Sequence, residues 1–288
     1  MKPAQFEYLA PTTIDEAVAL LHQYADDDGK VLAGGQSLVP LMNFRLAKPK
    51  WLVDINGIEA LDYIREEGDW LAIGAITRER DVEKSALIAQ HCPLLAEVSR
   101  WIGHVTIRNR GTLGGCIAHN DPTGEYPLAA MLLGAEVTAQ GPNGSRTMPI
   151  QDFLITFLTT ALEPNEVLTQ VRFPKMAKIT GWAFQEFARR HGDFAIVETG
   201  VMLTLDNGAV QDARIAIGGA APVAFRATAG EDVLKGEKLT DELIAQAAEK
   251  AGEMTEPESD IHGSAEYRTH LAKVLTRRAL KEAQGRAG

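Results

Sequence analysis

The chain has 288 residues and a net charge of −10, room enough for two domains that each bury a core. A hydrophobic share of 45% beside a charged share of 24% marks an ordinary globular protein. The acidic balance excludes general affinity for nucleic acid or anionic membranes, which needs clustered Lys and Arg. Cys92 and Cys116 are too few to hold an iron–sulfur cluster or a structural zinc ion unaided. The start, MKPAQFEYLAPTT, lacks the apolar run of a secretory signal, and nothing approaches the ~18 apolar residues of a membrane span. A reduced, cytoplasmic setting with no nucleic acid and no membrane span is the expectation.

Thr13-Ile-Asp-Glu16 predicts a capping box that opens the first helix, with Ala17, Leu20 and Leu21 on its apolar face. Val31-Leu32-Ala33 predicts a buried strand that breaks at Gly34-Gly35 into a tight loop, followed by a helical turn over 40–46. Strands are expected over 51–55 and 70–75. A helical stretch is expected from about 78 to 100, with Val82, Leu87, Leu94, Leu95 and Val98 inward. After a second glycine loop at 111–115 comes an apolar stretch, 128–137, and a turn at Gly141-Pro-Asn-Gly144. The segment 174–180 has the character of a domain joint. Beyond it, 182–188, 195–205 and 210–217 predict consecutive strands, the last two joined at Asp206-Asn-Gly208. The remainder predicts helices, the last over 265–283 with Tyr267, Leu271, Val274, Leu275 and Arg278 on one face.

No GxGxxG and no GxxxxGK[ST] occurs, so neither a Rossmann site nor a P-loop is supported. The chain instead carries Ala33-Gly-Gly-Gln-Ser37 and Thr112-Leu-Gly-Gly115, each after an apolar run. Glycine lets backbone approach a ligand closely and aim successive N–H groups at one anion, and Ser37 and Thr112 add hydroxyls. Each loop alone is an ordinary turn signal. Facing each other, they could clamp a diphosphate. The seven histidines show no HExxH or comparable spacing, so no metal site is expected. Asp121 and Glu125 could form an acid–base pair, although beside a polyanionic ligand they suit hydroxyl contacts or a helix start better. Arg108, Arg110, Arg189 and Arg190 could neutralise phosphate, meet a partner or lie solvated.

The flanks of these loops carry a resemblance. Residues 31–46 with Leu-Val-Asp-Ile at 52–55, and Ile-Arg-Asn-Arg-Gly-Thr-Leu-Gly-Gly at 107–115 with Asp121-Pro, Glu125 and Pro127, resemble the two FAD signatures of the flavoprotein subunits of molybdenum hydroxylases. The similarity runs on through Glu166-Val-Leu-Thr-Gln-Val-Arg-Phe-Pro174, Arg189-Arg-His-Gly-Asp-Phe-Ala195, Ala265-Glu-Tyr-Arg268 and Arg277-Arg278. It covers nearly the whole chain and matches the medium subunits of the carbon monoxide dehydrogenase, quinoline oxidoreductase and nicotine dehydrogenase type.

The resemblance implies an α+β protein: a two-lobed FAD domain of the p-cresol methylhydroxylase type over 1–176, with lobes of about 1–56 and 57–176. A C-terminal domain over 177–288 would combine a three-stranded antiparallel sheet with a helical bundle. It implies noncovalent FAD held by Val31, Leu32, Ala33, Gly34, Gly35, Gln36, Ser37 and Leu38 on one side of the diphosphate. Thr112, Leu113, Gly114, Gly115 and Cys116 would hold the other. Ile102 and Gly103 would approach through backbone, Leu168 would pack near the adenine and Gln185 would give a polar contact. Phe194 would lie beside the isoalloxazine, where some relatives carry Tyr. Glu125 stands where the family generally has Asp, and Cys116 where many relatives have Asn. A thiol there could be redox-active or simply fill space.

The same resemblance implies no catalytic acid or base on this chain. Electrons would come from the [2Fe–2S] clusters of a small partner subunit, a large partner subunit would carry the molybdenum cofactor, and FAD would pass electrons to an external acceptor. The assembly would be a dimer of heterotrimers. The rival readings are a self-contained FAD oxidase or reductase of related fold and a scaffold that has lost its flavin.

Overall fold

The computed structural model describes residues 1–24, 27–178 and 180–287. Ile179, within the expected joint, and Gly288, the last residue assigned to the second domain, lie outside the described residues. Among the described residues three main sheets follow one another along the chain, and a two-stranded ribbon joins Leu154–Thr156 to Thr159–Thr160.

The first is a parallel sheet in which Trp51–Asp54 lies between Glu7–Leu9 and Gly29–Leu32. Helix Ile14–Tyr24 packs Ala17, Val18 and Leu21 on Val53, Ile55 and Ile58. The expected capping box is shifted by one residue. The Thr13 hydroxyl accepts from the Glu16 amide, but the Glu16 carboxylate reaches back to the amide of Thr12 (2.9 Å) rather than Thr13. A short helix, Leu38–Asn43, stands where a turn over 40–46 was expected.

The second layer is antiparallel throughout, ordered Ile64–Glu67, Trp70–Gly74, Val167–Pro174, Glu136–Gly141, Gly144–Pro149. The helical stretch after 78 resolves into Glu79–Lys84, Ala86–His91 and Pro93–Val98, because Ser85 caps one start and Pro93 begins another. The apolar run expected at 128–137 divides into helix Glu125–Leu133 and the strand from Glu136, with Gly134 (φ +71) ending the helix. That helix is buried on every side after its first residue, since it lies between the second sheet and the third.

The third sheet runs Thr180–Phe187, Val197–Asp206, Ala209–Gly218 and a two-residue strand, Phe225–Arg226, beyond the three expected. Asn207 (φ +50) and Gly208 (φ +82) form the anticipated hairpin turn. One face receives Leu128 and Leu132 of the buried helix against Gly200. The other is covered by Thr228–Leu234 and Ala265–Arg286, with Asp241–Gly252 packed on both of those helices. The buried stripe of the last helix is Arg268, Leu271, Ala272, Leu275, Thr276, Ala279, Leu280 and Ala283, while Tyr267 and Arg278 point outward. The expected face was rotated because it followed the large side chains. Between a sheet and a second helix, alanines make the close contact.

Candidate functional site

At the end of strand Gly29–Leu32 the chain turns at Gly34. A Cβ there would lie 2.5 Å from the Arg110 carbonyl oxygen and 2.7 Å from Gly111 Cα, so the first glycine loop rests directly on the second. Only glycine permits that approach, since both obstacles are backbone. Gly35 takes φ +71, and the chain re-enters helix with the Val39 amide donating to the Gly35 carbonyl and that of Leu41 to Ser37. The amides of Gly34, Gly35, Gln36, Ser37 and Leu38 donate to no group among the described residues, and the Ser37 hydroxyl makes no cap bond. Successive free donors on a tight turn form an anion cradle.

The second loop is built differently. The Leu113 amide donates to Thr77 (3.1 Å), that of Gly114 to Ala75 (3.0 Å), that of Cys116 to Thr112 (3.0 Å), and that of Gly115 to the Thr112 hydroxyl (3.1 Å). Thr112 thus caps helix Leu113–His119. Over 112–116 the Thr112 amide alone has no acceptor among the described residues. A Cβ on Gly114 would lie 2.6 Å from Ala75 Cα, so this loop is fastened to the second sheet.

Two residues outside the sequence-derived set lock the loops together. Asn56 donates to the Ala33 carbonyl (2.7 Å) and accepts from Arg78 (2.7 Å). Arg78 also donates to the Arg110 carbonyl (2.5 Å), and the Glu79 amide to that of Gly111. Asn56 directly follows the Leu-Val-Asp-Ile signature and could have been found as the polar residue ending a buried strand. Arg78 had no signal, because its partners, the Asn56 side chain and the Arg110 carbonyl, are distant in sequence.

Carboxyl groups gather behind the second loop. Glu79 is buried against Gly111 with one oxygen unpaired, and burial pushes it up to about 8 despite Arg108 and Arg78. Burial, with Glu186, Glu79 and Asp121 nearby, raises Glu125 to about 8. Glu186 rises to about 7 through burial alone. Burial, with the charges of Glu79, Glu125 and Asp121, lifts the Cys116 thiol well above its ordinary range. Cys116 is therefore a neutral, half-buried thiol, and the space-filling role fits it. Asp121 bonds the amide and hydroxyl of Thr123, which suits a turn rather than an acid–base pair.

The remaining sequence-derived residues divide. The Ile102 carbonyl accepts from Arg108 (2.9 Å), and Gly103 (φ +44) lies against Gly192 beneath the His104 ring, bringing 102–104 to the turn that leads into Phe194. Phe194 is 76% exposed. Arg108, buried and paired with Glu83 (2.9 Å), is committed to the fold and unavailable to a phosphate. Val31 and Leu32 are strand residues leading into the first loop, and Leu168 is sealed in the second-layer core. Gln185 lies on the sheet face opposite Phe184 and Glu186 and donates to Glu282 (2.6 Å), so it is not brought together with the glycine loops.

The donor set fits FAD. A diphosphate matches the free amides of the first loop with the Arg78 guanidinium behind them. The carboxyl groups suit only donors such as ribityl or ring N–H groups. Among the described residues no group of His, Cys, Asp and Glu could hold a metal ion, and no helix is long and apolar enough to cross a membrane.

Residues 4–176 match the family described as the FAD binding domain in molybdopterin dehydrogenase, and residues 182–283 the CO dehydrogenase flavoprotein C-terminal domain. The chain is 42% identical to the carbon monoxide dehydrogenase medium chain of Hydrogenophaga pseudoflava over 99% of both chains. The solved carbon monoxide dehydrogenase of that organism, in a form lacking the Mo-pyranopterin moiety, superposes with a TM-score of 0.98 at 43% identity over 100% of both chains. Quinoline 2-oxidoreductase from Pseudomonas putida 86 superposes at 0.95 with 38% identity, again over both whole chains. The free-amide loop, the capped loop it rests on and the antiparallel sheet beyond them therefore belong to a member of the FAD-binding flavoprotein subunit family of molybdenum hydroxylases.

Proposed function

We propose that this chain is the FAD-carrying, electron-transferring medium subunit of a heteromeric molybdenum hydroxylase, with no substrate chemistry of its own. When bound, FAD accepts electrons singly from iron–sulfur clusters and delivers them singly or in pairs. The chain's residues bind and place it. The amides of Gly34 to Leu38 and the Thr112 hydroxyl receive the diphosphate, Arg78 and Asn56 hold the two loops at a fixed separation, and Ile102 and Gly103 close one side. Phe194 shields the ring without donating a hydrogen bond. Binding is noncovalent, and the division falls at 176/177, close to the boundary between the two matched family models. The set extends to Val31, Leu32, Cys116 and Glu125, while Leu168 in the core and Gln185 on the far sheet face stand apart from it.

The carrying observation is the run of amides without acceptors on a loop wedged against a second loop. A small subunit with two [2Fe–2S] clusters and a large subunit with the molybdenum cofactor complete the enzyme, as a cytoplasmic dimer of heterotrimers. The test is to purify the chain with its genomic neighbours. A yellow protein co-eluting with iron and molybdenum, inert when isolated, supports the reading. Turnover by the isolated yellow chain supports a self-contained oxidoreductase, and a colourless chain contradicts flavin binding.

A further inference from the structure

Two ionisable groups, Glu198 and Glu186, have no part in holding FAD as described, and both lie near Glu125, which does. Glu198 sits in the middle of strand Val197–Asp206, fully buried, and neither of its carboxyl oxygens has a partner among the described residues. Its cross-strand neighbour is Glu186, which keeps one buried oxygen unpaired and is otherwise partly open. Both lie on the face toward the first domain, as the pairing of Phe184 with Gly200, and of Gly200 with Leu128 and Leu132, requires. Glu125 opens the helix on that facing side, half-buried. The Glu198 carboxyl lies over Gly218 close to the Pro122 carbonyl, on the loop that leads to Glu125.

We propose that Glu198, Glu186 and Glu125 form a proton-holding chain along the seam between the two domains, opening into the cofactor crevice beside the second glycine loop. This rests on the FAD reading above. A buried carboxylate with no hydrogen-bond donor is too costly to persist, so Glu198 is a neutral acid that can donate its O–H to a carbonyl. The titratable groups nearest the chain among the described residues are acidic or neutral: Glu79 and Cys116 from the second loop's surroundings, Asp121 from the turn before Glu125, and Tyr126 bound to Ser99, with His119 beyond Asp121 and Arg108 and Arg78 beyond Glu79. No cation is among the groups that shift Glu198 or Glu125, and burial together with these neighbours raises both.

When electrons enter the crevice, from a partner's clusters or a chemical reductant, Glu125 or Glu186 gives up its O–H proton to the reduced cofactor and becomes a carboxylate. Glu198 keeps its own proton and, as a neutral O–H donor across the strand pair, stabilises the carboxylate left beside it. Once electrons leave, the proton taken up on reduction departs to the acceptor or to solvent, and the carboxylate regains one through the exposed part of Glu186, so protons and charge balance over a cycle.

Infrared difference spectroscopy on the full chain reconstituted with FAD and reduced by dithionite at neutral pH tests this, with proton uptake read by an indicator dye. The expected result is loss of a carboxylic-acid C=O band on reduction, diminished in Glu125→Gln and Glu186→Gln and shifted in Glu198→Gln. Glu125→Gln and Glu186→Gln should each take more protons from the medium than the wild type. A wild-type spectrum with no such band, a band unchanged by reduction, or one that all three variants retain overturns the proposal. Should Glu198→Gln fail to fold, Glu186→Gln at its partly open position carries the same decision. Failure of the FAD reading itself would appear earlier, as a chain with no flavin absorbance.

Discussion

Gly34-Gly35 and Gly114-Gly115 look interchangeable in sequence, and the structure separates them. The first loop leaves five consecutive amides without acceptors among the described residues and uses its glycine to press on neighbouring backbone. The second gives the amides of Leu113 to Cys116 to Thr77, Ala75 and Thr112, and uses Gly114 to sit on Ala75. A glycine pair therefore states only that backbone comes close to something. Whether that is ligand or protein depends on where the amides are spent. The first loop is the ligand cradle and the second is mainly its anvil.

Gly34→Ala breaks this arrangement most severely. Its Cβ meets a backbone carbonyl and a backbone Cα, so no rotamer change relieves the clash and the loops must part. FAD affinity should fall by ~100-fold or more, about 3 kcal/mol, in a fluorescence titration. Gly114→Ala should act first on the fold, lowering stability by about 1–3 kcal/mol in denaturant unfolding, with FAD affinity following less steeply. The reverse order of effects in the two variants would overturn the division of labour.

Arg78→Ala sharpens the comparison, because it leaves both loops intact and removes what ties them. An affinity loss of ~10-fold is expected, with partial recovery in Arg78→Lys, which keeps the charge but not two fixed donors. Thr112→Ala should lower stability by about 1 kcal/mol through the lost cap, and Thr112→Ser should restore it. A further effect concerns pH. Glu79 and Glu125 are held near 8 in the folded chain against 4.5 unfolded, so the folded state keeps the proton more tightly. The stability they allow is full below about pH 4.5 and is lost as pH rises through about 8. Thermal stability should fall as pH rises over that window, and Glu79→Gln should flatten the slope.

Much of this molecule was legible in its sequence because backbone and apolar pattern decide it. The Asn207-Gly208 hairpin, the glycine loops and the paired strands of the third sheet all announce themselves locally. What escaped depends on contacts between distant segments. Arg78 and Asn56 act through carbonyls contributed by other loops. Gln185 faces Glu282 because strand phase, not motif position, decides its side of the sheet. The last helix was misphased since alanine, the residue that packs closest, carries the least hydrophobic signal. Glu198 did leave a mark, a carboxylate inside Val197-Glu-Thr-Gly-Val201, where an unpaired charge has no ordinary place.

The most direct measurement compares the affinities of FAD and FMN for the wild-type chain and for Gly34→Ala and Gly114→Ala. If the first loop holds the diphosphate, FAD should bind the wild type ~100-fold more tightly than FMN. Gly34→Ala should erase that gap, and Gly114→Ala should preserve it. Equal affinity of the wild type for FAD and FMN, or a gap that survives Gly34→Ala, would contradict the assignment.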